Sequence, residues 1–238
     1  MEKPAKPHTL RNILLTIALG MSVTFIRVVM PTHFPVITPV IVIIEALLEL
    51  GICALILWLN WADLKGLLTK KPTSTELGAI VRYWIIIYSV GAVFTLLCAA
   101  VYYLITGKVY AQEVLGLVPA TVVGNEFIRV FPLGPLLTMS VIAPLWEELV
   151  FRLTFRKAFG NTVVFVVMQA LFFGVLHTAN FLSLGMIDCA FLGIMLACVY
   201  LKTKDIRITI GTHMLYNIML FVFQFFGWAL SSLGVLSA

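Results

Sequence analysis

Residues 132–158 read PLGPLLTMSVIAPLWEELVFRLTFRKA, an apolar run broken near its middle by Glu147, Glu148 and Arg152. Its length suits a bilayer crossing, for which about 20 apolar residues suffice. A charge at the centre of a membrane helix costs about 2.5–3.5 kcal/mol on insertion scales, so three together call for pairing or water. Glu148 and Arg152 are four apart, share a helix face and can pair. Glu147 is turned about 100° from its neighbour and is free to point into a cavity. Arg152, Arg156 and Lys157 also fit a plain cytoplasmic helix end. That alternative leaves the two acids on the membrane side of the arginine without a reason.

The rest of the chain repeats this apolar character. Of its 238 residues, 61% are hydrophobic and 11% charged, and the mean hydropathy is +1.06. A soluble domain is about half apolar and a quarter charged. Apolar spans fall at 12–30, 36–59, 83–106, 132–158, 162–179, 183–201 and 208–227. The expected fold is an all-α, polytopic transmembrane bundle of about seven or eight helices. It forms one integral membrane domain, with helices and loops over 1–131 and a core over 132–227. Residues 1–30 read as a retained first helix, because the apolar run is longer than a signal-peptide core and no A-x-A site follows. The short, charged stretch 107–131 reads as an external loop or surface helix; were it to span, there would be eight crossings. WADLKGLLTKK (61–71) reads as an interfacial segment anchored by Trp and Lys.

A pI of about 9.1 invites a nucleic-acid partner, but the placement of the bases argues for the bilayer instead. With the N-terminus in the cytoplasm, cytoplasmic segments hold thirteen of the sixteen Lys and Arg residues, leaving Arg27, Lys108 and Arg129 outside them. The positive-inside rule therefore accounts for the charge, and the expected location is the cell membrane, multi-pass. Cys53, Cys98, Cys189 and Cys198 lie within apolar spans with no CxxC pair, and read as small buried hydrophobes.

Of four histidines, His8 is in the polar tail and His33 in a Pro-rich external loop. His177 (FFGVLHTANF) and His213 (IGTHMLYNIMLF) sit in separate apolar spans. A lone histidine in a helix is usually a packing residue; two beside a paired-glutamate helix suggest more. His213 shares a face with Asn217, and His177 with Phe173. At 1.5 Å per residue, Glu147, His177 and His213 lie about 16, 22 and 9 Å from the cytoplasmic ends of their helices, a spread that permits one site. A carboxylate and an imidazole flanking one water can take its proton and return it to a leaving group. An imidazole and an amide can donate to an oxyanion. No serine or cysteine nucleophile stands at motif spacing, and HExxH is absent.

EELVFR (147–152), FGVLH (173–177) and HMLYN (213–217) resemble, in order, the EExxxR, FxxxH and HxxxN/D motifs of the CAAX-protease and bacteriocin-processing (Abi) family of intramembrane endopeptidases, which includes the type II CAAX prenyl endopeptidases. The resemblance covers residues 132–227. It implies that Glu147 activates the water with His177, that Glu148 is the second glutamate, that Arg152 orients and balances the pair, and that His213 and Asn217 form the oxyanion site. The family is often labelled metalloprotease, but the resemblance also allows a metal-free glutamate mechanism, and the expectation is no cofactor; the alternative is a zinc ion on Glu147 or Glu148, His177 and His213. The substrate expected is a small membrane-associated peptide or protein: a pheromone, a bacteriocin leader or a CaaX-like tail. Family habit favours a bacterial peptide processor.

Other polar residues are weaker candidates. Glu45 and Glu49 share a face of the second span and, with Phe173, are candidates for lining a substrate cavity. Asp188 and Asn180 read as structural or interfacial. Phe221, Phe223, Phe225, Phe226 and Trp228 read as lipid-facing packing and an interface belt. Two other functions fit part of the pattern. A proton-coupled transporter would carry intramembrane Glu, His and Asp, but would show matching halves, and the polar residues crowd into the second half. A non-catalytic adaptor or bacteriocin-immunity protein of the same fold needs no intact motifs, yet every motif residue is present.

Overall fold

The computed structural model describes residues 7–33, 39–107, 136–177 and 183–232. Every regular element among them is helical. In chain order they are α1 (Pro7–His33), α2 (Pro39–Leu59), α3 (Trp61–Leu68), α4 (Ser74–Thr106), α5 (residues 138–158), α6 (Thr162–Leu176), α7 (Leu184–Thr203) and α8 (Ile206–Ser232). Three helices among the described residues, α4, α7 and Ile206–Phe223 of α8, are long and apolar enough to cross a membrane. The chain is an all-α membrane helix bundle. The question of whether 107–131 spans falls almost wholly outside the described residues, as does Asn180.

The helix bounds follow the apolar runs, with differences that have local causes. α1 runs on to His33, so that histidine ends a helix rather than sitting in a loop. α4 begins at Ser74, nine residues before the expected span. Thr73 and Glu76 close a reciprocal capping box, which satisfies two end N–H groups and starts the helix in the polar TSTE stretch. α4 ends at Gly107, whose φ of +69° suits only glycine without strain. Its sides are mostly lipid-facing: Leu96, Leu104 and Ile105 are exposed and only Tyr83 and Ile87 are buried.

α2 and α3 meet at an 86° bend, so α3 turns away from the line of the second span, as an interfacial segment requires. Asn60 sits buried in the corner. Its amide donates to Thr16 Oγ1 at 3.1 Å and to the Ile56 carbonyl at 2.9 Å. Asp63 on α3 pairs with Lys157 at the end of α5 at 2.5 Å. Arg156 donates to the Phe159 and Gly160 carbonyls, capping the negative end of the same helix.

α6 and α7 approach most closely. A Cβ on Gly174 would lie 2.6 Å from the Met186 carbonyl oxygen, and one on Gly193 would press Phe173 Cβ at 3.3 Å. α7 and α8 pack on α4, and Arg207 fixes the joint. It pairs with Glu76 of α4 and with Asp205, the latter at 2.7 Å. Burial pushes the Asp205 carboxyl up, but hydrogen bonds and charge from Arg207 outweigh it and hold it below the usual carboxylate range. The largest apolar core joins Trp146, Leu149, Phe151 and Phe155 of α5 to Val23, Ile56, Phe165, Phe173 and Ala197, which places α5 at the centre of the bundle.

Candidate active site

α5 is the element that decides the site, and it is not a regular α-helix. Pro144 has no N–H to give to the carbonyl four residues back. Residues Thr138–Ile142 just before it are wound as a wider π turn, with Ala143 N donating to Thr138 O. A second π turn covers Leu149–Thr154, where Phe155 N donates to Val150 O and Thr154 Oγ1 to Leu149 O at 2.8 Å. Between them lies the short α segment Ala143–Glu148 that ends on the two glutamates. Single π turns inside α-helices recur at functional sites because they re-aim side chains.

The glutamates are 2% and 0% exposed, and Arg152 is 0%. Arg152 Nη1 lies 3.1 Å from Glu148 Oε1, and the same oxygen meets His213 Nδ1 at 2.8 Å. Glu147 Oε2 faces both imidazoles, 3.6 Å from His177 Nε2 and 3.8 Å from His213 Nε2. One glutamate is thus tied on two sides. The other stands just beyond direct hydrogen-bond distance of the two imidazoles.

His177 follows the last residue of α6 and caps it, with Nδ1 2.6 Å from the Phe173 carbonyl. A carbonyl only accepts, so Nδ1 carries the hydrogen and, in the neutral ring, Nε2 presents its lone pair towards Glu147. The imidazole stacks on Phe173 with centroids 4.1 Å apart. The other face of the network meets the same ring: the Arg152 guanidinium lies 4.9 Å from its centroid. His177 is 27% exposed on its side chain against 2% for His213, so the cluster opens on the His177 side.

The structure therefore brings Glu147, Glu148, Arg152, Phe173, His177 and His213 together. Asn217 is on the same α8 face as His213, one turn on, and its amide donates to the Met139 carbonyl at 2.8 Å, which ties α8 to the first π turn of α5. Glu49 is buried against protein rather than facing open space, at 1% exposure. Glu45 lies in α2, its side chain outside the described residues. Asp188 accepts from Thr95 Oγ1 at 3.2 Å and links α7 to α4. The four cysteines are free, but only Cys53 and Cys189 are buried as expected; Cys98 is half-buried and Cys198 is exposed.

Two participants, Gln169 and Gly193, escape a motif reading. Gln169 is 0% exposed and donates from Nε2 to the Gly193 carbonyl at 2.9 Å and to the Val166 carbonyl at 3.2 Å. Arg152 Nη2 meets the same Gly193 carbonyl at 3.4 Å. The available signal was a polar residue in an apolar helix, four before Phe173 and eight before His177.

For a zinc ion the available donors would be Glu147, His177 Nε2 and His213 Nε2, with His213 Nδ1 held by Glu148, the orientation a metal-ligating histidine usually has. The Arg152 guanidinium supplies positive charge beside that pair. Among the described residues, no three His, Cys, Asp or Glu side chains are placed to hold a metal ion.

Residues 129–219 match the family model described as Rce1-like, type II CAAX prenyl endopeptidase, and the matched segment contains EELVFR, FGVLH and HMLYN. Over 93 residues the chain is 32% identical to the UPF0177 protein YaiF of Lactococcus lactis subsp. lactis (strain IL1403). That stretch is 39% of this chain and 41% of the relative, so the chain spans about two fifths of the curated relative it matches. No solved structure matches it significantly.

Proposed function

We propose that this chain is an intramembrane endopeptidase that hydrolyses a peptide bond in a small membrane-associated peptide or protein, with Glu147 and His177 activating the water. The observation that carries this reading is the 3.6 Å separation of His177 Nε2 and Glu147 Oε2, where the His177 side chain is partly exposed and the carboxylate is buried. Both groups can touch one water there, and neither is saturated by the other. The Rce1-like match over the segment that bears all three motifs supports the same class of chemistry.

The steps follow from the groups present. Glu147 takes a proton from the water while His177 orients it, and the resulting hydroxide attacks the carbonyl carbon. The proton then passes to the leaving amine. Negative charge develops on the carbonyl oxygen and needs a donor. His213 is the nearest candidate, because its Nε2 faces the same space, 3.8 Å from Glu147 Oε2. Arg152 balances Glu148 so that this pair can be buried. The Asn217 amide, one turn further on, would extend the donor set. No step requires a metal. The substrate class proposed is a peptide with a membrane-seated end, such as a pheromone, a bacteriocin leader or a CaaX-like tail.

The test is a mass-spectrometric comparison of peptide termini, in membranes and medium, between cells carrying the wild type and Glu147→Ala at equal expression. A precursor that stays uncut only with the variant is the expected result and names the substrate. Identical termini, with the biological effect retained, would contradict the protease reading and favour a non-catalytic adaptor.

A further inference from the structure

Behind the motif residues lies a second layer of polar contacts that the proposed chemistry does not use. Gln169, Phe173 and His177 occupy one stripe of α6 at spacings of four. Gln169 Nε2 faces two carbonyls, those of Gly193 and Val166. Two acceptors on one side fix the amide with its nitrogen towards them. The Gly193 carbonyl is the same one that Arg152 Nη2 approaches. It is reachable because residue 193 has no side chain: a Cβ there would crowd Phe173 Cβ at 3.3 Å and Ala170 Cα at 3.4 Å.

Arg152 in turn touches both arms of the site. Its Nη1 pairs with Glu148, which holds His213 Nδ1. Its guanidinium face lies over Phe173, the ring on which His177 stacks. A shift of this one cation would therefore disturb both histidines. Glu148 and Phe173 limit its movement on two sides, and the Gly193 carbonyl, held by Gln169, limits it on the third.

We infer that Gln169 is a positioning residue: by pinning the Gly193 carbonyl it sets the seat of the Arg152 guanidinium, and through it the orientation of both His177 and His213. The inference concerns the same site as the proposed protease, but its test reads histidine reactivity, so either can fail without the other.

The test uses the purified full-length chain in detergent and diethyl pyrocarbonate as the probe. Carbethoxylation of His177 and His213 is followed by mass spectrometry between about pH 5 and 8, with His8 as internal reference. The variants are Gln169→Met, which keeps the volume and removes the amide, Arg152→Gln, and the double variant. Leu196→Ala, a buried α7 position outside the polar layer, controls for general loosening. Gln169→Met is expected to speed modification of both histidines about fivefold, the effect on a local opening equilibrium of losing one net hydrogen bond. It is expected to move the pH midpoint of the His177 reaction by the same amount as Arg152→Gln, and the double variant is expected to go no further. Should Arg152→Gln fail to accumulate, Arg152→Lys replaces it, since it keeps the charge but lacks the planar fork. Unchanged rates in Gln169→Met, additive effects in the double variant, or the same profile from Leu196→Ala would each overturn the inference.

Discussion

Glu147 and Glu148 are neighbours in the chain, equally buried, and each faces a histidine, yet their surroundings differ. Glu148 is held between Arg152 at 3.1 Å and His213 at 2.8 Å, and all three side chains are 2% exposed or less. Glu147 stands 3.6 Å from a His177 that is 27% exposed. A buried carboxylate with a cation and a hydrogen-bonded imidazole is an anchor, because removing one partner strands a charge away from water. A carboxylate 3.6 Å from a partly exposed imidazole leaves a gap that one water can bridge. Under the proposed function, the two adjacent acids divide support from chemistry.

The comparison is easiest to break from the anchored side. Arg152→Ala leaves Glu148 buried without its cation and is expected to cost about 3–5 kcal/mol, read as loss of monodisperse protein after detergent extraction and a fall in heat stability. Near-normal stability would mean that the anchor is not one. On the open side, His177→Ala is expected to leave stability nearly intact while slowing cleavage of the identified precursor by about 10²- to 10⁴-fold, the usual share of a positioned acid or base. A cleavage defect no larger than the stability defect would erase the distinction between the two sides.

Smaller effects are expected away from the pair. Asp205 is held below its ordinary value by Arg207, so its contribution is present above the unfolded carboxylate value and fades as pH falls through the folded one. Heat stability of the wild type should therefore drop on acidification more than that of Asp205→Asn, and parallel curves would contradict this. No effect is expected from 1,10-phenanthroline on cleavage. Loss of cleavage on chelation, restored by zinc, would mean that Glu147 and the histidines serve a metal.

Much of the fold was legible because a bilayer requires long apolar runs, and these stand out in a chain with so few charges. The amino-terminal turns of α4 were not, because Glu76 and Arg82 look like boundary residues until the Thr73–Glu76 box is recognised as a helix start. The bend at Asn60 was legible only as a change from apolar to Trp- and Lys-bearing sequence. Within the site, motif spacing singled out the side chains that meet, and the Rce1-like match over 129–219 bears out the family resemblance. Which nitrogen meets which carboxylate was not legible. A step of 100° per residue turns Glu147 away from its neighbour, yet His213 reaches both acids, Nδ1 to one and Nε2 to the other. The π turn before Glu147 lies against α2 and α8 and the one after Glu148 against α1, α6 and α8, contacts that spacing within one helix does not reveal. Gln169 was passed over because a single buried amide has no motif until the Gly193 carbonyl is placed opposite it.

The division of labour between the two glutamates is tested most directly by comparing Glu147→Gln with Glu148→Gln, each an uncharged isostere. For each, the folded fraction after detergent extraction and the cleavage of the precursor are measured in the same cells. Glu147→Gln is expected to accumulate as a folded protein and leave the precursor uncut, while Glu148→Gln is expected to be depleted or unstable. Wild-type cleavage by Glu147→Gln would contradict that division.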